Sequence, residues 1–174
     1  MRAAILLTIR RAGAEDARAI ASVLYESFAE FRALYTDGGF AATALGAEQI
    51  LIRMQEGPVW VALREDAVVG TVAAVARGES VYVRGMAVVP AARGLGAGAA
   101  LLRTVESWAV REGFGRLFLS STPFLSSAIQ LYERFGFRRV EEEPQNLFGT
   151  ALFTMEKMVG GSAGCSGPGV RVQR

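Results

Sequence analysis

The period of the apolar positions changes several times along the chain, and each change marks an expected element. Ile5 to Ile9 is a short apolar run that reads as a strand. From Ala14 to Tyr35, Ile20, Leu24, Phe28, Phe31 and Tyr35 recur every three or four residues, which predicts one helix. Asp37-Gly38-Gly39 then breaks the pattern. A second helix is expected over Ala47 to Gln55, with Ile50, Leu51 and Met54 inward and Gly57-Pro58 as its stop. Val59 to Leu63 and Val68 to Ala76 read as a hairpin turned by Arg64-Glu65-Asp66-Ala67, and Val81 to Val89 as another strand closed by Pro90.

Arg93-Gly94-Leu95-Gly96-Ala97-Gly98 comes next and opens a strong helix that runs to Glu112, with Leu101, Val105 and Trp108 as its stripe and Gly113 at its end. Leu117 to Ser121 is a strand. Ser127 and Gln130 have the spacing of a capping box for a short helix through Phe135. Phe137 to Glu141 and Leu147 to Lys157 read as a last pair of strands. The order β-α-α-β-β-β-α-β-α-β-β describes one mixed-sheet α/β or α+β domain over residues 1–158. Residues 159–174, rich in glycine, read as a flexible tail.

Composition removes several kinds of chemistry. Of 174 residues, 51% are apolar and 21% charged, enough to bury a core. Nineteen basic against 17 acidic residues leave a net charge of +2, with no polybasic cluster, so no nucleic-acid partner is expected. No apolar run approaches the roughly 20 residues that cross a bilayer, so no membrane partner is expected either. The first apolar run is too short for a secretion signal, and a single cysteine allows no intrachain disulfide; both fit the cytoplasm. The absence of histidine and the lone Cys165 exclude Ser-His-Asp and Cys-His nucleophiles and a Cys/His zinc site, and no metal is expected.

The informative segment runs from Val88 to Ala99. A strand enters a glycine-rich turn, and the turn opens a helix. Backbone N–H groups at a helix start carry partial positive charge, glycines allow close approach, and Arg93 adds a full charge. This is the composition of a phosphate cradle. The competing reading is that the glycines serve close packing alone. Gly94 to Ala99 also fits a dinucleotide fingerprint, but no acid lies between Glu112 and Glu133 to hold a ribose, and a P-loop lysine is missing.

Here the chain resembles the GNAT superfamily of acetyl-CoA-dependent N-acetyltransferases. The family pattern Arg/Gln-x-x-Gly-x-Gly/Ala is met by Arg93, Gly96 and Gly98. Ile9-Arg10-Arg11-Ala12 with Asp16 and Ile20, Asp66 to Gly70, and Leu131-Tyr132-Glu133-Arg134-Phe135-Gly136-Phe137 resemble three further family segments, and the resemblance spans roughly residues 5 to 158. It implies a central mixed, mostly antiparallel sheet of about seven strands flanked by about four helices. It implies acetyl-CoA as cosubstrate, its pyrophosphate on Arg93, Gly94, Leu95, Gly96, Ala97, Gly98 and Ala99. Its pantetheine arm is expected beside Met86, Ala87 and Val88, next to a bulge at Gly85. Tyr132 matches the family's general acid toward the departing thiolate, and the acceptor is a primary amine of a small molecule or peptide, attacked directly in a ternary complex.

Phe31 and Tyr35, with Phe28 and Phe40, and Asn146 and Phe148 opposite, are expected near the acceptor. Arg84, where many members carry an acidic or polar residue, is a candidate partner for an acceptor carboxylate. Ser120 stands where some members place a basic glutamate, and Leu125 where an asparagine is frequent. Glu30, Asp37 and Glu79 are candidate bases by neighbourhood alone. The missing carboxylate keeps open a non-catalytic acyl-CoA-binding module of the same fold, and a homodimer is carried as an expectation from the family.

Overall fold

A computed structural model describes residues 6–160. Its strands are β1 (Leu7–Arg11), β2 (Val59–Arg64), β3 (Ala67–Arg77), β4 (Ser80–Val88), β5 (Arg116–Ser121), β6 (Arg138–Arg139), β7 (Gln145–Leu147) and β8 (Thr150–Met158). They lie in the order β1-β2-β3-β4-β5-β8-β6, with β7 paired to β8 off this path. Every pairing is antiparallel except that of β4 with β5. The helices are α1 (Ala17–Phe28), α2 (Asp37–Thr43), α3 (Ala47–Glu56), α4 (Ala97–Arg111) and α5 (Ser126–Arg134). The mixed, mostly antiparallel sheet matches the expectation, with one strand and one helix more than anticipated.

The sheet is covered on both faces, which is why its central strands read as continuous apolar runs. In β2, Val59 and Val61 face a layer built from α1 and α3, where Ile20, Leu24 and Ile50 are buried. Trp60 and Ala62 face the layer holding Leu101, Leu102 and Val105 of α4. On β4 the alternation is interrupted. Val81 and Val83 belong to the α4 layer, whereas Ala87 belongs to the α1 layer. The register explains the switch: Thr71 pairs with Ala87 and Ala73 with Arg84, so Gly85 and Met86 together oppose Val72 alone. That is a β-bulge, and Gly85 takes φ +59 within it.

Four local expectations are corrected. The predicted Ala14–Tyr35 helix is a 3-10 turn over Ala14–Asp16, then α1, then a 3-10 stretch over Ala29–Leu34. The Ser27 carbonyl, which a continuing helix would bond to Phe31, accepts instead from Arg93 at 3.0 Å. Asp37-Gly38-Gly39 is the first turn of α2 rather than a break. Thr36 caps it, its Oγ1 accepting from the Gly39 amide at 3.0 Å. The predicted Leu147–Lys157 strand turns back at Phe148 (φ 49) and Gly149 (φ 90) to make the β7–β8 hairpin. Two consecutive left-handed residues are the requirement of a type I′ turn, and a phenylalanine there hides the usual signal. The capping box of Ser127 and Gln130 is not formed, since α5 begins at Ser126 with Leu125 before it.

Val159 is buried and its amide donates to the Gly115 carbonyl at 3.0 Å, so packing continues one residue past Met158. The rest of the expected tail, from residue 161, lies outside the described residues. No helix among the described residues is long and apolar enough to cross a membrane.

Helix α2 is docked on the β7–β8 hairpin through a small surface. Thr36 donates from its hydroxyl to the Phe148 carbonyl at 2.7 Å, and a Cβ on Gly39 would collide with Thr150 Oγ1 and stand 3.0 Å from the Leu147 carbonyl. Gly39→Ala is therefore expected to lower unfolding free energy by about 1–3 kcal/mol. Denaturant titration checks it; an unchanged midpoint would show that the docking is dispensable.

Candidate active site

The parallel pair β4–β5 is hydrogen-bonded over only three positions, Ser80 to Tyr82 against Arg116 to Phe118. At the last pair the rings of Tyr82 and Phe118 stack with centroids 5.1 Å apart. Beyond it the strands part. The edges of Val83–Val88 and Leu119–Ser121 then face a cavity of about 920 Å³ instead of each other. An exposed strand edge of this kind is a template for an extended ligand that bonds like an added strand.

The glycine-rich turn forms one end of this cavity. Gly94 and Gly96 take φ +75 and +86, conformations that disfavour a side chain, and α4 starts directly after them. Among the described residues the Arg93 amide is bonded to the Pro90 carbonyl and the Ala100 amide to the Gly96 carbonyl, but the amides of Gly94 to Ala99 have no protein acceptor. A Cβ at Gly94 or Gly96 would meet nothing within 4 Å, so the space before these amides is open. Gly98 serves packing instead: a Cβ there would stand 2.7 Å from Leu131 Cδ2 of α5. Of the residues from Arg93 to Ala99, all but Leu95 line the cavity, as do Met86, Ala87 and Val88.

Arg93 is directed elsewhere than the sequence suggested. Its guanidinium donates to the Val88 carbonyl at 3.3 Å and to the Ser27 carbonyl at 3.0 Å, and it forms an ion pair with Glu30. The side chain thus staples the turn to the end of α1 and leaves the backbone amides as the unpartnered donors. Arg103 of α4 and Arg134 of α5, neither singled out from sequence, also line the cavity.

Tyr132 of α5 is 8% exposed, borders the cavity, and packs edge-on against Phe137 at 5.9 Å. Burial, helped by the nearby Tyr35 phenol, holds its own phenol well above the usual tyrosine range, so it stays protonated. Tyr35 is itself buried and raised by desolvation, an effect that the Thr122 and Thr43 hydroxyls oppose. Its ring meets Phe124 at 4.9 Å, and Phe31 meets the same ring at 6.1 Å. Of the residues expected together, Phe28, Phe31 and Tyr35 line the cavity, but Phe40, Asn146 and Phe148 do not. On the far side Leu147 and Leu152 fill that place, because Asn146 caps the hairpin turn through the Gly149 amide at 3.0 Å and Phe148 is 70% exposed.

Among the described residues no aspartate or glutamate lines the cavity. Glu30 is paired with Arg93, Asp37 with Arg32, and Glu79 lies at the β3–β4 turn, where its carbonyl accepts from Gly115. Ser120 and Leu125 stand on the wall where a base was sought. Arg84 of β4 reaches the wall and is ion-paired with Glu56 of α3; Arg53, one turn before Glu56, borders the same wall. Arg53 was missed from sequence. Its only signal is a charge at i+3 from Ile50, on the flank of the inward face of α3.

Residues 20–137 match the family described as Acetyltransferase (GNAT) family. Over 139 residues the chain is 32% identical to the uncharacterized N-acetyltransferase YjgM of Escherichia coli, covering 76% of this chain and 83% of that protein. Over 102 residues it is 37% identical to an N-acetylaspartate synthetase of Danio rerio, covering 57% of this chain but spanning only 36% of that longer protein. The fold superposes on the PaiA N-acetyltransferase of Thermoplasma acidophilum, solved in complex with coenzyme A, with a TM-score of 0.76 at 17% identity, over 88% of this chain and 99% of that one.

Proposed function

This chain belongs to the GNAT acetyltransferase family and is an acetyl-CoA-dependent acyltransferase; from that we propose that it transfers the acetyl group to the primary amine of a small molecule or peptide by direct attack in a ternary complex. The observation that carries the reading is the row of unpartnered amides from Gly94 to Ala99 at the mouth of the cavity between β4 and β5. These amides, at the positive end of α4, hold the pyrophosphate. Arg103 and Arg134 are placed to add charge along the same wall. The freed edge of Met86 to Val88 bonds the pantetheine arm, and the N–H beside the bulge polarises the thioester carbonyl, a contact of the oxyanion-hole type.

The amine nitrogen attacks the thioester carbonyl carbon. A C–N bond forms, the C–S bond breaks, and the electron pair leaves on sulfur. Tyr132, held protonated, donates a hydrogen bond that stabilises the departing thiolate, which takes its proton from solvent; the proton lost by the amine goes to water. An alkyl amine is neutral in about one molecule in 2,500 at pH 7, a barrier of about 4.6 kcal/mol. With no carboxylate on the wall and with Arg53 and Arg84 beside the bulge, the cavity disfavours the ammonium form and so favours the nucleophilic one.

Acetyl-CoA at 100 times its dissociation constant should add about 2.7 kcal/mol to stability, and Gly96→Ala should remove most of that gain; equal melting shifts in both proteins would dismiss the cradle. Tyr132→Phe should lower kcat on the order of 100-fold while acetyl-CoA affinity holds, measured as amine-dependent release of CoA thiol; unchanged kcat would remove Tyr132 from the chemistry. Because burial raises the Tyr132 pKa, its protonated form persists where an ordinary phenol ionises. The pH–rate profile should therefore climb about tenfold per unit from pH 6 to 8 with the free amine and show no descending limb up to about pH 10. A limb falling near pH 9 would contradict the assignment.

A further inference from the structure

Arg53 and Arg84 come from different elements and meet at the bulge. The Arg53 guanidinium lies against Gly85, close enough that a Cβ there would stand 2.6 Å from its Nη1. Arg84, 17% exposed along its side chain, is paired in charge with Glu56, yet its Nε and Nη2 are buried with no aligned hydrogen-bond acceptor. Among the described residues no carboxylate lies within 4 Å of Arg53. The three side chains therefore carry one uncompensated positive charge on the wall of the cavity. Burial, and the like charge of Arg84 after it, depress the Arg53 guanidinium to about 10 against the opposite pull of Tyr82. A half-buried cation that no protein group neutralises is a standing energetic penalty, and a bound anion removes it.

The anion is not a phosphate of coenzyme A. Arg84 precedes the bulge, whereas the cradle begins beyond Val88, about 13 Å further along the strand. Between them lies the edge where the thioester is expected. Tyr82, whose phenol acts on Arg53, lines this end of the cavity. A single unmatched charge fits one carboxylate, and a guanidinium fork matches carboxylate geometry. In an amino acid the amine nitrogen and the carboxyl carbon are about 2.5 Å apart. A carboxylate seated on Arg53 therefore delivers its amine next to the bulge.

We infer that the acceptor is an amino acid, its carboxylate bound by Arg53 with Arg84 alongside and its amine presented to the thioester at the Gly85 bulge. This rests on the acetyl-transfer reading above and narrows it from amines at large to carboxylate-bearing ones.

The test uses the full chain with saturating acetyl-CoA and a panel of L-amino acids, each compared with its α-amide and its decarboxylated amine, with rates corrected for free amine. The amino acids should exceed both analogues by about 10- to 100-fold in kcat/KM. Arg53→Gln should erase that preference mainly through KM, Arg53→Lys should restore part of it, and the melting shift given by acetyl-CoA should be unchanged in both. Equal rates for acid and amide, or a kcat loss in Arg53→Gln that is the same for both, would overturn the carboxylate site and leave acetyl transfer standing. If no amine turns over, acetyl transfer fails instead, and calorimetric titration with N-acetyl amino acids decides the site. Binding lost in Arg53→Gln supports it, and binding equal to the unaltered protein refutes it. Should Arg53→Gln fail to fold, Arg53→Lys against Arg84→Gln carries the same comparison.

Discussion

The whole arrangement depends on two neighbouring strands that stop bonding to each other. A parallel pair that separates after Tyr82 and Phe118 leaves main-chain donors and acceptors facing inward with nothing opposite. Interior peptide groups do not stay unpaired at no expense. Sheet order, the placement of α4 and α5 below the gap, and the 3-10 stretch after α1 above it all act to keep that gap open and lined. A cavity between strands is thus a consequence of where pairing ends, and its contents must replace the lost bonds.

Arg93 ties this geometry together in a way its sequence context does not suggest. As part of Arg93-Gly94-Leu95-Gly96 it looks like an anion ligand. In the fold its three protein acceptors are Val88 on the strand before the turn, Ser27 near the end of α1, and Glu30 in the 3-10 stretch after that helix. The turn is held in shape by a side chain so that its amides are left for something else. The same hydrogen bond lies at the end of α1, so the end of that helix and the glycine turn, both on the cavity wall, are tied together by one residue.

The sequence was most legible where periodicity and glycine chemistry agree: the hairpin β2–β3, the bulge at Gly85, and the strand-turn-helix from Val81 to Arg111. It was least legible where a tertiary contact overrides a local signal. Gly38-Gly39 reads as a break, yet it sits inside α2 because the Thr150 side chain leaves no room for anything larger at Gly39. Phe148 reads as an apolar strand residue, yet it occupies a left-handed turn position. The wall of the cavity divided in the same way. Tyr132, Tyr35, Phe31, Arg84 and the glycine turn were placed by motif and resemblance, whereas Arg53, Arg103 and Arg134 were not. A lone arginine on an amphipathic helix has no pattern to distinguish it from a solvated one, and only the packing of α3 across β4 reveals what it faces.

The extra residue at Gly85 has an effect that reaches well past its neighbours. It inverts the parity of β4, so that one strand sends Val81 and Val83 into one hydrophobic layer and Ala87 into the other. The two layers are otherwise insulated from each other by the sheet. Anything that grips β4 at this kink therefore acts on the packing of both layers at once.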